Sequence, residues 1–498
     1  MYDKLFVGGD LSGIQKFLYN ITSKKAAVSL KGRSFYLRQY MDGVCKRLTE
    51  LPEVSAASPD VIYCSGGKLY VIIQNSPQTQ EALASFTKRE KSEIWKEHRG
   101  QLSINISWVP FSENADGSIN ANGCERQPLG FLWQCMTEDF ARQKNQKFLE
   151  EIRDNYDDFF EIIPVGGKPK VCAVTGIESP DCVSFYYKDE NLLVLPSVKQ
   201  QIELGEELRK KDDFLTFEDY AAGSYLGILR MDVDGLGKLF ANGFPTIAEY
   251  KAFSNHLDAY FTSKEDHVSN LQRIQQKDDY RTHLNIIYAG GDDIFVVGRW
   301  DKVIDFAAEV RNDFVKYVGK EGVSLSGGVA IVPPKFPIAK AAEMAGEAED
   351  AAKEYEYKGK PKNAFCMFGQ TVSWQDEFEY VEQYKNEFVD LIMHMDMPRS
   401  ILHKIMSYAA IAARNERDKK KGKPENFSYI WHSAYYLTRV IERQNKNTAV
   451  VEFCKRLRDR ELYGKIANFR LMALAARWAE LTIRLNQILK EKNDLSRN

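Results

Sequence analysis

Residues 285–298 read NIIYAGGDDIFVVG, two apolar runs joined by glycines and a pair of adjacent aspartates. Ile286, Tyr288, Phe295 and Val297 alternate as half-buried strands do, while Gly290, Gly291, Asp292 and Asp293 form the connection. A hairpin needs only the glycines, which tolerate positive φ. Side-by-side carboxylates repel, and a divalent cation with oxygen ligands relieves that repulsion; on this stretch alone, a solvated turn is the other reading.

The same unit recurs earlier in the chain. GGDLSGIQKF (8–17) lies over RMDVDGLGKLF (230–240), with Asp10 on Asp232, Ser12 on Asp234, Gly13 on Gly235 and Lys16 on Lys238. The spacing from Asp10 to Gly66 matches that from Asp232 to Gly290 within two positions, so VIYCSGGKLYVII (61–73) falls over IIYAGGDDIFVV. On that alignment Lys68 and Leu69 take the places of Asp292 and Asp293, and lysine brings positive charge where a metal needs oxygen. The first unit is therefore expected to be catalytically silent, with Asp10 a turn cap or a helper at a shared interface.

Each unit reads as strand, turn, long helix and hairpin. In the second, helical composition covers 247–273, and the hairpin is followed by a helix (303–319), a strand (323–333), a helix (337–355) and a strand (362–369). That order, β-α-β-β-α-β, is a ferredoxin-like palm. Its first strand and hairpin pair at the centre of the sheet, which brings Asp232 beside Asp292 and Asp293. The expected class is α+β: two ferredoxin-like palm domains at 1–155 and 216–370, a small insert at 156–215 and an all-α helical bundle at 371–498.

Three converging aspartates suit Mg²⁺ or Mn²⁺, and such sites commonly hold nucleotide phosphates too, which makes phosphoryl or nucleotidyl transfer the expected reaction class. In the turn DVDGLGK, Gly235 and Gly237 permit close backbone approach to phosphate oxygens. Lys353 and Lys362 either neutralise a triphosphate or are exposed lysines near a helix end. The run RNERDKKKGKPEN (414–426) reads as a solvated loop or an RNA-backbone contact.

Composition excludes other classes. The 498 residues, 44% hydrophobic and 28% charged with a net charge of −2, describe a globular chain of roughly three or four domains without a global case for nucleic-acid binding. No run reaches the length of a membrane span and the start MYDKLFVGGDLSGIQ is no signal peptide, so no membrane partner and a cytoplasmic location are expected. The eight cysteines lack CxxC spacing. Cys172 and Cys182 bracket a turn-rich loop, but two thiolates do not complete a four-ligand zinc site.

GDLSGIQKFLYN and SLKGRSFYL in the first unit, with DVDGLG and YAGGDDIF in the second, resemble the large polymerase-like subunit of type III CRISPR effector complexes, Csm-type branch. The resemblance covers nearly the whole chain in the order palm, insert, palm, helical domain. It implies cyclic oligoadenylate synthesis: ATP binds between the palms, and the 3′-hydroxyl of one nucleotide attacks the α-phosphate of another with loss of pyrophosphate. Asp232, Asp292 and Asp293 match the catalytic acids and, with Val233, the metal site. The nucleotide site comprises Gly290, Gly291, Val233, Gly235, Leu236, Gly237, Lys238, Lys353, Lys362 and Ser12. The implied partners are guide RNA, target RNA as the activating signal, and small helical and backbone Cas subunits. Some relatives join ATP to S-adenosylmethionine instead, and a non-catalytic scaffold is a further alternative. No His-Asp dipeptide occurs in the chain, so the HD nuclease found in many members is not expected.

Overall fold

The computed structural model describes residues 2–22, 25–56, 58–98, 100–154, 156, 170–188, 190–264, 267–462 and 466–496. Residues 157–169 of the expected insert lie outside the described residues. The fold is mixed α+β, with two compact units: Met1–Ala221, Leu226–Leu325 and Val332–Gly346 form the first, and Ala222–Tyr225, Ser326–Ile331 and Glu347–Asn498 the second.

In the first unit, strand β1 (Lys4–Ser12) is buried along nearly its whole length, because both its faces are covered. The other strands of its sheet are β2 (Asp60–Ser65), β3 (Lys68–Gln74), β4 (Ser103–Glu113), β5 (Ile119–Ala121) and β6 (Cys124–Gln127), and the order is β2-β3-β1-β4-β5-β6. Helices Ala26–Thr49 and Pro77–His98 supply Leu37, Val44, Phe86 and Ile94 to a core with Leu5, Val7, Val71 and Ile104. On the opposite face the rings of Phe6 and Trp133 lie 4.6 Å apart.

Strands β7 (Val183–Tyr187) and β8 (Glu190–Val194) make a hairpin that leads into helix Pro196–Asp212. This helix meets helix Ala26–Thr49 at two glycines: a Cβ on Gly32 would stand 1.7 Å from the Gln201 carbonyl oxygen, and one on Gly205 2.1 Å from that of Val28. Backbones touch there because no side chain intervenes.

A second sheet places β11 (Asp293–Arg299) between β9 (Leu226–Asp234) and β10 (Leu284–Gly290), antiparallel to both. Helix Trp300–Val318 covers it with Val303, Phe306, Val310 and Phe314. The two sheets are joined within this unit: Trp133 stacks on Tyr250 at 4.0 Å and Tyr19 packs on Phe295 at 4.7 Å.

In the second unit, Gly327 and Gly328 of β12 (Ser324–Val332) pair in parallel with Phe365 and Cys366, which lie in the strand Ala364–Met367. Helices Glu377–His394, Ser400–Lys420, Ser428–Arg443, Thr448–Arg456 and Ile466–Ser496 follow. Arg470 of the last helix donates to the Glu377 carboxylate and the Thr371 carbonyl, both at 2.6 Å, and Tyr355 donates to the same carboxylate at 2.8 Å.

Three local expectations change. The run 247–273 is broken: helix Ile247–Phe261 ends at Thr262, and Ser269 caps a new helix, Asn270–Gln275, by accepting from the Gln272 N–H. The charged run 414–426 is helical as far as Lys420, supported by the i,i+4 pair Arg414–Asp418 at 3.5 Å, and turns only at Gly422, φ 68°. Helix Thr448–Arg456, capped by Asn447, was not anticipated from periodicity.

Alanine at Gly205 gains helix propensity but collides with the Val28 carbonyl. We expect the collision to win, with Gly205→Ala losing about 1–3 kcal/mol in a denaturant titration.

Candidate active site

Strand β9 exposes every second residue near its end: Arg230 and Asp232 are half-buried while Met231 and Val233 point into the core. Pairing with β11 sets Asp293 directly opposite Asp232. The connection between β10 and β11 is only Gly291 and Asp292, because Gly290 already pairs with Asp293. Gly291 takes φ 69°, which a non-glycine residue tolerates poorly, and the tight turn presents Asp292 next to its neighbour. The Val233 N–H donates to the Asp292 carbonyl at 3.1 Å, tying turn to strand.

One carboxylate oxygen from each of Asp232, Asp292 and Asp293 lies within 4.8 Å of the others, all three half-buried. The donor set is all carboxylate and partly open, which fits a hard divalent cation such as Mg²⁺ or Mn²⁺. Their charge reaches two tyrosines. Burial and then Asp292 push the Tyr63 phenol well above its ordinary pKa, and burial, Asp293 and Asp292 do the same to Tyr288. Both phenols stay protonated as donors.

Asp234, buried on the same strand, accepts from Ser324 Oγ at 2.8 Å. Gly235 takes φ 81°, and a Cβ there would stand 2.4 Å from the Gly322 carbonyl oxygen. Gly237 is exposed with nothing within 4 Å of a Cβ position, so a ligand can approach its backbone. Leu236 is buried and Lys238 exposed. Lys353 and Lys362 belong to the second unit: Lys353 pairs with the buried Glu349 at 2.6 Å, and the Lys362 N–H donates to the Tyr355 carbonyl.

The first sheet repeats the geometry with other side chains. Asp10 pairs with Lys68 as Asp232 pairs with Asp293, so Lys68 corresponds to Asp293 and Gly67 to Asp292, one position from the sequence alignment. The slip comes from the glycines: Gly66 and Gly67 align by letter with Gly290 and Gly291, but it is Ser65 that closes the first hairpin as Gly290 closes the second, and the bulges at Val61/Tyr63 and Ile286/Tyr288 are equivalent. Asp10 makes no helix-cap hydrogen bond; its carboxylate is held by other side chains. Lys144 forms an ion pair with its carboxylate at 2.9 Å, Ser12 Oγ donates to it at 3.0 Å, and Asn105 donates to Ser12 at 3.0 Å.

The two turns meet. A Cβ on Gly66 would stand 2.8 Å from Gly291 Cα. Beside them opens a cavity of about 860 Å³ whose lining includes Gly66, Tyr288, Gly290, Lys31 and Arg38. Lys31 donates to the Ile286 carbonyl at 2.6 Å, and burial lowers its pKa while Asp212 opposes the shift. Tyr63, Tyr288 and Lys31 are the neighbours that sequence reasoning missed. Lys31 stands in SLKGRSFYL, but nothing in that stretch signals a contact with a strand some 250 positions later.

We expect Mn²⁺ titrated into the chain and followed by electron paramagnetic resonance to bind, and Asp292→Asn with Asp293→Asn to weaken that binding by about tenfold or more.

Residues 225–366 match the family described as "Cas10/Cmr2, second palm domain", and residues 4–162 match "Csm1 subunit domain B". The chain is similar to the CRISPR system single-strand-specific deoxyribonuclease Cas10/Csm1 (subtype III-A) of Enterococcus italicus, at 28% identity over 71% of this chain and 53% of that protein. It is similar to the protein of the same name from Mycobacterium tuberculosis, at 26% identity over 90% of this chain and 63% of that one. The chain thus spans less than two thirds of the length of either relative. The Csm1-Csm4 cassette, solved in complex with one ATP (TM-score 0.63) and with cA4 (TM-score 0.61), shares its fold at 18% identity over 95% of this chain and 70% of the solved one. No helix among the described residues is long and apolar enough to cross a membrane.

Proposed function

We propose that this chain is the large subunit of a type III CRISPR effector complex and that its second palm is a nucleotidyltransferase that polymerises ATP into cyclic oligoadenylate. The observation that carries this reading is the convergence of Asp232, Asp292 and Asp293 at a turn that abuts the glycine turn of a silent palm. Two β-α-β-β-α-β palms, at 1–155 and 216–370, are the architecture we assign, with an insert at 156–215 and a helical domain from 371. Guide RNA, target RNA and Csm4-like and small helical subunits are the partners of this reading.

In the reaction, a 3′-hydroxyl attacks the α-phosphorus of ATP, a 3′–5′ P–O bond forms, and pyrophosphate leaves with the electron pair of the broken bond. Mg²⁺ or Mn²⁺ held by the three aspartates and the backbone at Val233 supplies hydroxyl activation and charge neutralisation when bound, in a two-metal arrangement. The chain's own contributions are positional. Gly235 and Gly237 leave the backbone open to phosphate, with Lys238 beside them, and the cavity next to Gly66 and Gly290 has the volume for a nucleoside. Ser12 is assigned to the silent palm's side of the site. Lys144 neutralises Asp10, which supports one active palm rather than two. The deoxyribonuclease activity in the relatives' names is not carried over to these residues.

The test is turnover of α-labelled ATP by the assembled complex, with and without matching target RNA, and with and without S-adenosylmethionine. Target-dependent product that falls by about a hundredfold or more in Asp292→Ala, Asp293→Ala supports the reading, and its mass names the acceptor. An intact, RNA-bound complex with no product under any of these conditions points to the scaffold reading instead. Gly66→Val, which drives a side chain into Gly291, is expected to lower turnover while leaving Mn²⁺ affinity within about threefold of the parent.

A further inference from the structure

The helix Ser428–Arg443 has two unlike faces. Tyr429, Ser433, Leu437 and Val440 are buried against the rest of the second unit. On the outer side Phe427, Trp431 and Tyr435 are 52%, 61% and 60% exposed, and Arg439 continues the line, its guanidinium 5.4 Å from the Tyr435 ring centroid. These positions recur every four residues, so the rings climb the helix in steps of about 6 Å.

Next to this ladder is an unusual density of positive charge. Between residues 414 and 443 there are eight lysines and arginines against four acids, in a chain whose net charge is −2. Arg417, Lys419, Lys420, Lys421 and Lys423 are exposed and make no ion pair among the described residues.

We propose that this face binds single-stranded RNA, with successive bases stacked on Phe427, Trp431 and Tyr435 and the phosphates drawn to the lysines that precede the helix. Aromatic rings next to a run of cations are what an unpaired strand requires, because each base offers a face to stack and each nucleotide carries a negative charge. A protein partner fits less well, because lysine is depleted from the centres of protein interfaces and this face adjoins a run of exposed lysines. A duplex hides its base faces. The exposed imidazole of His432, its centroid 3.6 Å from that of Trp431, adds a hydrogen-bonding group beside the stacking face, which a 2′-hydroxyl can use and a deoxyribose cannot. The inference does not depend on nucleotidyl transfer, since binding is read without ATP.

Fluorescence anisotropy of the full chain with a labelled oligouridylate of about 12 nucleotides, an oligothymidylate of the same length and an RNA duplex, over a salt series, tests it. We expect Trp431→Ala with Tyr435→Ala to weaken the uridylate complex by about tenfold or more with the salt slope kept, and Trp431→Phe to stay within about threefold of the parent. Replacing Lys419, Lys420, Lys421 and Lys423 by glutamine is expected to flatten the salt slope by about 0.7 for each phosphate that is no longer neutralised. The proposal is overturned if the double alanine variant, folded by circular dichroism, binds uridylate as the parent does, or if thymidylate or duplex binds as tightly as uridylate. Unchanged RNA binding would leave the aromatic face to a protein partner.

Discussion

Three carboxylates with oxygens inside 4.8 Å of one another repel, and what surrounds them has to hold them against that force. The holding is done by backbone. Cross-strand pairing fixes Asp232 opposite Asp293, a two-residue turn fixes Asp292, and the Val233 N–H bonded to the Asp292 carbonyl closes the loop. The three Cβ atoms are thereby held on one edge of the sheet, and rotation of the side chains is the freedom that is left to them. A cation with oxygen ligands relieves the repulsion, so the backbone that gathers the carboxylates also prepares the site for metal.

The first sheet shows the same backbone with the repulsion removed. At the position matching Asp293 stands Lys68, and Lys144 reaches from helix Gly130–Asn145 to the Asp10 carboxylate. A tethered ammonium there does the electrostatic work of an ion without offering a coordination site. What is left is a partner whose glycine turn serves as a surface, since Gly66 packs on Gly291.

Much of this was legible in residues 285–298. The hairpin, its glycines and the convergence with Asp232 follow from alternation and strand order, because period-two patterning and short turns are local properties. The register slip at Lys68 was not legible, because both stretches carry a Gly-Gly pair and the two pairs do not occupy equivalent positions in their turns. Lys31 and Tyr63 were missed for a different reason: they approach the aspartate hairpin from the first sheet and its helix, and nothing local in a sequence records which distant strand a lysine meets. Helix Thr448–Arg456 is short enough that its pattern does not stand out from its surroundings.

The meeting of Gly66 with Gly291 has a mechanical consequence. Two backbones in contact, without side chains between them, resist being pushed together steeply but attract each other only weakly. The contact is a one-sided stop: it limits how far the two sheets close and does little to keep them from opening. Resistance to opening comes instead from the Lys31 ammonium on the Ile286 carbonyl and the stacked Trp133 and Tyr250. Any load that draws the two sheets apart therefore falls on these contacts, and the glycine pair carries none of it.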